Sequence, residues 1–173
     1  MTMPTMKPSK GLPEGVSFWH PATLAVTWFG TGLLPKMPGT WGSLATLPVA
    51  WVLAQRFGPY AVAAAAVVAF VIGLWACRVY LARSRTKDPG EIVIDEVAGQ
   101  LLAVAPAGLD PLAFGLAFVL FRIFDTMKPW PLRNLEQLPG ALGVMADDIG
   151  AGLYTAIMIS LYFLILGKPG VFF

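Results

Sequence analysis

Residues 60 to 82 read YAVAAAAVVAFVIGLWACRVYLA. From Tyr60 to Cys77 the segment carries no charge, and at about 1.5 Å per residue it is long enough to cross a hydrocarbon layer of about 30 Å. Arg78 follows, where a long side chain reaches the near interface while its stem stays in the apolar zone. The rest of the chain agrees with this reading: 57% of its 173 residues are hydrophobic and 13% charged, with a mean hydropathy of +0.69. Such a composition predicts an all-α, polytopic membrane bundle.

Working outward, Ile149 to Gly167 is a second uncharged run that ends before Lys168. Residues 41 to 57, WGSLATLPVAWVLAQRF, form a third candidate span, with Pro48 placed to kink it. Between 95 and 124 the apolar run is interrupted by Pro106, Gly108 and Pro111, which predicts a helical hairpin of two short pieces that either crosses twice or dips and returns. The N-terminus lacks the apolar core of a cleavable signal peptide. Residues 1–20 are therefore expected to be a mobile basic tail, and 21–173 a single membrane-embedded domain.

Charge sets the orientation. With the 83–94 loop placed in the cytoplasm, five passes put ten Lys and Arg residues on that side and only Arg56 and Lys168 on the other. Nine of the ten acidic residues fall on the cytoplasmic side too, leaving Asp110 in the outer turn. The net charge of +2 carries no nucleic-acid footprint. A single cysteine, Cys77, and a single histidine, His20, exclude a disulfide framework, a thiolate metal site and a two-histidine phosphatase.

Four polar stretches then need explaining. IVIDEVAGQ at 92–100 sets Asp95 and Glu96 against an apolar run, and MADDIGAG at 145–152 does the same with Asp147 and Asp148. Each pair is expected to begin a helix, where the dipole favours carboxylates by about 0.3–1 kcal/mol. That is too little to offset four mutually repelling carboxylates near a low-dielectric region. Neutral or solvated carboxylates are one resolution. A hard cation with oxygen ligands, Mg²⁺, is the other, since no His or Cys cluster favours zinc.

FRIFDTMKPWPLR at 121–133 adds Asp125, with Arg122 and Lys128 three residues to either side and so on its face if helical. Combined with a metal, these cations describe a phosphate site; alone, they describe a positive-inside flank. FGTGLLPKMPGTWGS at 29–43 lacks P-loop spacing, but its glycines would let backbone N–H groups approach a phosphate, with Lys36, Thr40 and Ser43 as donors. A reentrant turn fits the same composition. The small residues Ala98, Gly99, Gly150, Ala151 and Gly152 would let two helices approach closely and bring the acidic pairs together.

In this order, FGTGLLPKMPGTWGS, DPGEIVIDEVAGQ, FRIFDTMKPWP and GVMADDIGAG resemble the bacterial phosphatidylglycerophosphatase A family, over about residues 28 to 165. The resemblance implies a multi-pass inner-membrane enzyme whose active site faces the cytoplasm. Its expected reaction is Mg²⁺-dependent hydrolysis of phosphatidylglycerophosphate to phosphatidylglycerol and phosphate. The family's acidic positions fall on Asp88, Asp95, Glu96, Asp125, Asp147 and Asp148, with Glu91 in a looser part of the pattern and Arg122 and Lys128 in the central motif.

The expected roles follow. Asp95, Glu96, Asp147 and Asp148 hold one or two Mg²⁺ ions, and Asp125 completes the shell or acts as base. Arg122 and Lys128 neutralise phosphate charge. Two other functions compete. A CDP-alcohol transferase would need its D-G-x2-A-R signature, which is missing, and a cation transporter or binding protein would line a pathway with the same carboxylates.

Overall fold

The computed structural model describes residues 12–13, 15–84, 86 and 89–167. Much of the expected basic tail, Asp88 and Lys168 lie outside them. Among the described residues seven α-helices follow one another: α1 (Pro21–Val26), α2 (Pro38–Phe57), α3 (Pro59–Leu81), α4 (Ile94–Val104), α5 (Pro111–Met127), α6 (Leu132–Leu135) and α7 (Ala141–Ile165). Among the described residues there is no strand. The all-α expectation therefore holds.

Local chemistry sets most of the helix starts. Proline opens α1, α2, α3 and α5, where its missing N–H costs no intrahelical bond. His20 caps α1, its Nδ1 accepting from the Ala22 N–H at 3.2 Å. Asp110 caps α5, with Oδ1 accepting from Leu112 N at 2.9 Å and Ala113 N at 3.0 Å. The interrupted hairpin expected over 95–124 is formed by α4, a 3₁₀ turn at Ala105–Ala107 and α5, with Gly108 at φ 60° reversing the chain. Pro48 lies inside α2, which continues through it.

One expectation needs correcting. Asp147 and Asp148 do not begin a helix, because α7 starts at Ala141, after Gly140 at φ 61°. ALGVM is apolar enough to extend the helix backwards, so the pair sits in its second turn and faces inward. The helix-dipole argument applies only to Asp95 and Glu96, which do occupy the first turn of α4.

The helices alternate in direction. The starts of α2, α4 and α7 and the ends of α3 and α5 meet at one end, around a common cavity. The helices α3 and α7 are each long and apolar enough to cross a membrane. Their inward faces mix small residues (Ala66, Ala69, Gly73 and Ala76 on α3; Ala151, Gly152 and Thr155 on α7) with large ones, Tyr80 on α3 and Met145, Ile159 and Phe163 on α7. Their outward faces carry Val67, Val71, Trp75, Leu153, Ile157 and Leu161.

The tightest crossing is α4 against α7. A Cβ added at Gly152 would collide with the carbonyl oxygen of Gly99, and one at Gly99 would stand 2.6 Å from the Asp148 carbonyl oxygen and 2.6 Å from the Phe121 ring. Backbone meets backbone there, as the small residues of both motifs led one to expect. Gly152→Ala is therefore expected to destabilise the protein by about 1–3 kcal/mol, because neither backbone can yield. Gly115→Ala, where a Cβ meets open space on α5, is expected to stabilise by up to about 1 kcal/mol through helix propensity. Thermal unfolding of both variants in detergent checks the contrast.

Candidate functional site

The cavity at the convergent helix ends has a volume of about 1190 Å³. Each converging helix brings a distinct group to it: Pro38 to Thr40 from α2, Leu81 from α3, Asp95 and Glu96 from α4, Arg122 and Asp125 from α5, and Asp147 and Asp148 from α7. Lys128, Glu136, Gln137, Ser84 and Thr86 also line it.

At its floor, Asp95, Glu96 and Asp148 each offer a carboxylate oxygen, and these oxygens lie within 4.8 Å of one another. Asp95 Oδ1 accepts the backbone N–H of Glu96 at 3.0 Å, which uses the first-turn position of the pair. Two buried oxygens, Glu96 Oε2 and Asp148 Oδ1, have no hydrogen-bond partner. Buried carboxylate oxygens left unpaired are costly, and several at this spacing repel one another. Oxygens on opposite sides of a Mg²⁺ ion stand about 4 Å apart, so a small hard cation fits this donor set in both chemistry and dimension.

Arg122 ties three elements together. Its Nη1 lies 2.9 Å from Asp125 Oδ2 and 3.6 Å from Glu96 Oε1, and donates to Ser43 Oγ at 3.4 Å. Ser43 is buried and donates its own hydroxyl to the Gly39 carbonyl at 3.0 Å, so it meets the site through Arg122. Thr40 lines the cavity, whereas Lys36 is exposed and lies outside that lining. Of the three donors expected from residues 29–43, the structure brings one to the cavity wall and sets another behind Arg122.

Three glycines of that stretch, Gly32, Gly39 and Gly42, make room for the start of α4 and the segment entering it. A Cβ on Gly32 would strike the Glu91 carbonyl oxygen, one on Gly39 the Glu96 carboxylate, and one on Gly42 would stand 2.9 Å from Val93 Cβ. Met37, at φ 52°, starts α2 from a left-handed residue beside the cavity. Glu91 itself is buried and accepts the Tyr80 hydroxyl at 2.8 Å, which fastens the end of α3 to the approach of α4.

Asp147 turns away from the other three carboxylates to meet Lys128, with Oδ2 at 2.7 Å from Nζ. Lys128 also meets Glu136 Oε1 at 3.1 Å. It reaches both because it ends α5 in a left-handed conformation, φ 44° and ψ 63°. Glu136 carries no sequence pattern and was not anticipated. Gln100, one turn inward from Glu96, is also unanticipated: it is fully buried with neither amide atom partnered. Its spacing of four from Glu96 is the one available signal.

Comparison with known proteins bears on the same residues. The family model described as phosphatidylglycerophosphatase A matches residues 24–163. A Haemophilus influenzae protein named phosphatidylglycerophosphatase A is 34% identical over 148 residues, covering 83% of this chain and 90% of its own length. Its Escherichia coli namesake is 38% identical over 143 residues, covering 80% and 79%. A Bacteroides thetaiotaomicron protein with the provisional name phosphatidylinositol-3-phosphatase is 37% identical over 149 residues, covering 82% and 92%. No solved structure matches the chain.

Burial pulls the Lys128 ammonium's pKa down, but the hydrogen bonds and charges of Asp147 and Glu136 outweigh it and hold the group above its ordinary value. With a raised folded pKa, the stabilisation is fully present below the unfolded value of about 10.4 and is lost as pH rises through the folded one. Lys128→Met is expected to lower the melting temperature at pH 7. Its deficit relative to the unsubstituted protein should persist to about pH 10 and narrow above that, as followed by thermal unfolding across pH.

Proposed function

Because the chain belongs to the phosphatidylglycerophosphatase A family, we propose that it hydrolyses the terminal phosphomonoester of phosphatidylglycerophosphate, releasing phosphatidylglycerol and phosphate, at the cytoplasmic face of a bacterial inner membrane. The observation that carries this reading is the cavity floor: three carboxylates at ligand spacing with unpaired buried oxygens, flanked by one guanidinium and one ammonium.

Asp95, Glu96 and Asp148 would hold Mg²⁺, and Asp147 and Asp125 border that set, each engaged by a cation of its own. When bound, the ion supplies Lewis-acid polarisation of a phosphoryl oxygen and a more acidic water. The chain's own groups do the rest. Arg122 is held by Asp125, Glu96 and Ser43 with its guanidinium on the cavity wall, where it meets the charge that spreads over the phosphoryl oxygens during transfer. Lys128 supplies a second positive charge to the same cavity. Asp125 orients Arg122 and, lining the same cavity, is placed to accept a proton from an attacking water.

The membrane placement rests on the same architecture. Large apolar side chains cover the outside of α3 and α7, and the site lies at the helix ends. A headgroup entering there leaves its acyl chains in the bilayer beside the bundle, so a polytopic arrangement needs no deep aqueous channel. The positive-inside count supports a cytoplasmic placement of the cavity end.

Phosphate release by purified protein in detergent, with and without Mg²⁺, tests the reading. Phosphatidylinositol 3-phosphate serves as the competing substrate, since one relative carries that name. Hydrolysis of phosphatidylglycerophosphate is expected to require Mg²⁺ and to be preferred. Asp95→Asn and Asp148→Asn are each expected to abolish turnover while gel filtration shows a folded protein, and Arg122→Ala to lower kcat by about 10²–10³-fold. Near-normal turnover in either Asn variant would remove that carboxylate from the machinery.

A further inference from the structure

Lys128 has two anionic partners of unequal freedom. Asp147 sits in the second turn of α7 with its side chain only 8% exposed, at 2.7 Å from Nζ. Glu136 lies just beyond α6 on the cavity lip, with its side chain 49% exposed, at 3.1 Å. Separating the first pair would leave a buried carboxylate uncompensated. Separating the second lets a half-exposed carboxylate return to water at little cost. The Arg122 guanidinium, in contrast, is already divided among Asp125, Glu96 and Ser43.

An arriving phosphate dianion meets a cavity in which carboxylates outnumber cations. Lys128 is the cation that can turn toward it without disturbing the floor, because an ammonium has three donors and gives up only its outer partner. We propose that Glu136 is the displaceable counter-ion of Lys128. Phosphate oxygens take the place of its carboxylate when the phosphomonoester enters, and the carboxylate's return to Lys128 competes inorganic phosphate off. No covalent bond changes in this exchange. Glu136 is thus a positioning residue acting through Lys128, and the inference rests on the phosphatase reading above.

Removing the competitor must strengthen anion binding, an effect opposite to that of losing a structural support. In the full chain in detergent with Mg²⁺, inorganic phosphate is titrated by calorimetry and also used as a product inhibitor. Glu136→Gln is expected to bind phosphate about two- to fivefold more tightly, the range that loss of a partly exposed ion pair allows, with the inhibition constant falling in step. Mg²⁺ affinity is expected to be unchanged. Glu136→Asp, whose shorter carboxylate reaches Lys128 less well, is expected to fall between the two.

Phosphate binding unchanged or weaker in folded Glu136→Gln overturns the inference. Should that variant fail to fold, Glu136→Asp decides alone, and binding no tighter than in the unsubstituted protein overturns it. An unsubstituted protein that neither binds phosphate nor releases it from lipid overturns the phosphatase reading and the counter-ion with it. Binding that the substitutions leave unmoved overturns the counter-ion only.

Discussion

The contact between Gly99 and Gly152 is the constraint on which the site depends. Two carboxylate-bearing helices must come close enough for Asp95, Glu96 and Asp148 to share ligand distance, and any side chain at the crossing would hold them apart. Bringing backbones together in this way gains dispersion contacts over a length of helix while placing like charges side by side at its end. The packing energy is spread through the bundle and the repulsion is concentrated at the cavity, which is why the cationic groups gather there as well.

Around that crossing, charge is arranged in layers. The floor of the cavity is anionic, Arg122 bridges α2, α4 and α5 at its wall, and Lys128 lines the same cavity with its two carboxylate partners. Each cation is fixed by acidic side chains from different helices, so its position reports the assembly of the whole bundle. A site of this kind cannot form until α4, α5 and α7 are all in place.

Much of this could be read from residues alone, and the exceptions have physical causes. The span at 60–82 was clear because nothing interrupts its apolar run, and α3 covers Pro59–Leu81. The start of α7 was placed too late because Asp147 and Asp148 look like the border of an apolar segment, whereas they are inward-facing residues within a longer helix. The motif carboxylates were identifiable as candidates from type and spacing, but which of them share a centre depends on rotamers and helix phase. Asp147 turns to Lys128 while Asp148 turns to Asp95 and Glu96. Glu136 was invisible because its partner reaches it through a left-handed turn that no local pattern signals. The glycines of 29–43 suggest a cradle for phosphate, whereas Gly32, Gly39 and Gly42 lie against Glu91, Glu96 and Val93 at the start of α4.

The Gly99 and Gly152 contact also divides α7 unequally. Asp148 lies four residues, about 6 Å, to one side of Gly152, and Ile165 thirteen residues, about 20 Å, to the other. If α7 rocks on that contact, it behaves as a lever with a fulcrum near its working end. A sideways swing of 3 Å at the far tip then moves the Asp148 backbone by only about 1 Å, the geometric ratio of the two arms. A displacement applied at the far end of α7 therefore arrives at the carboxylates reduced about threefold.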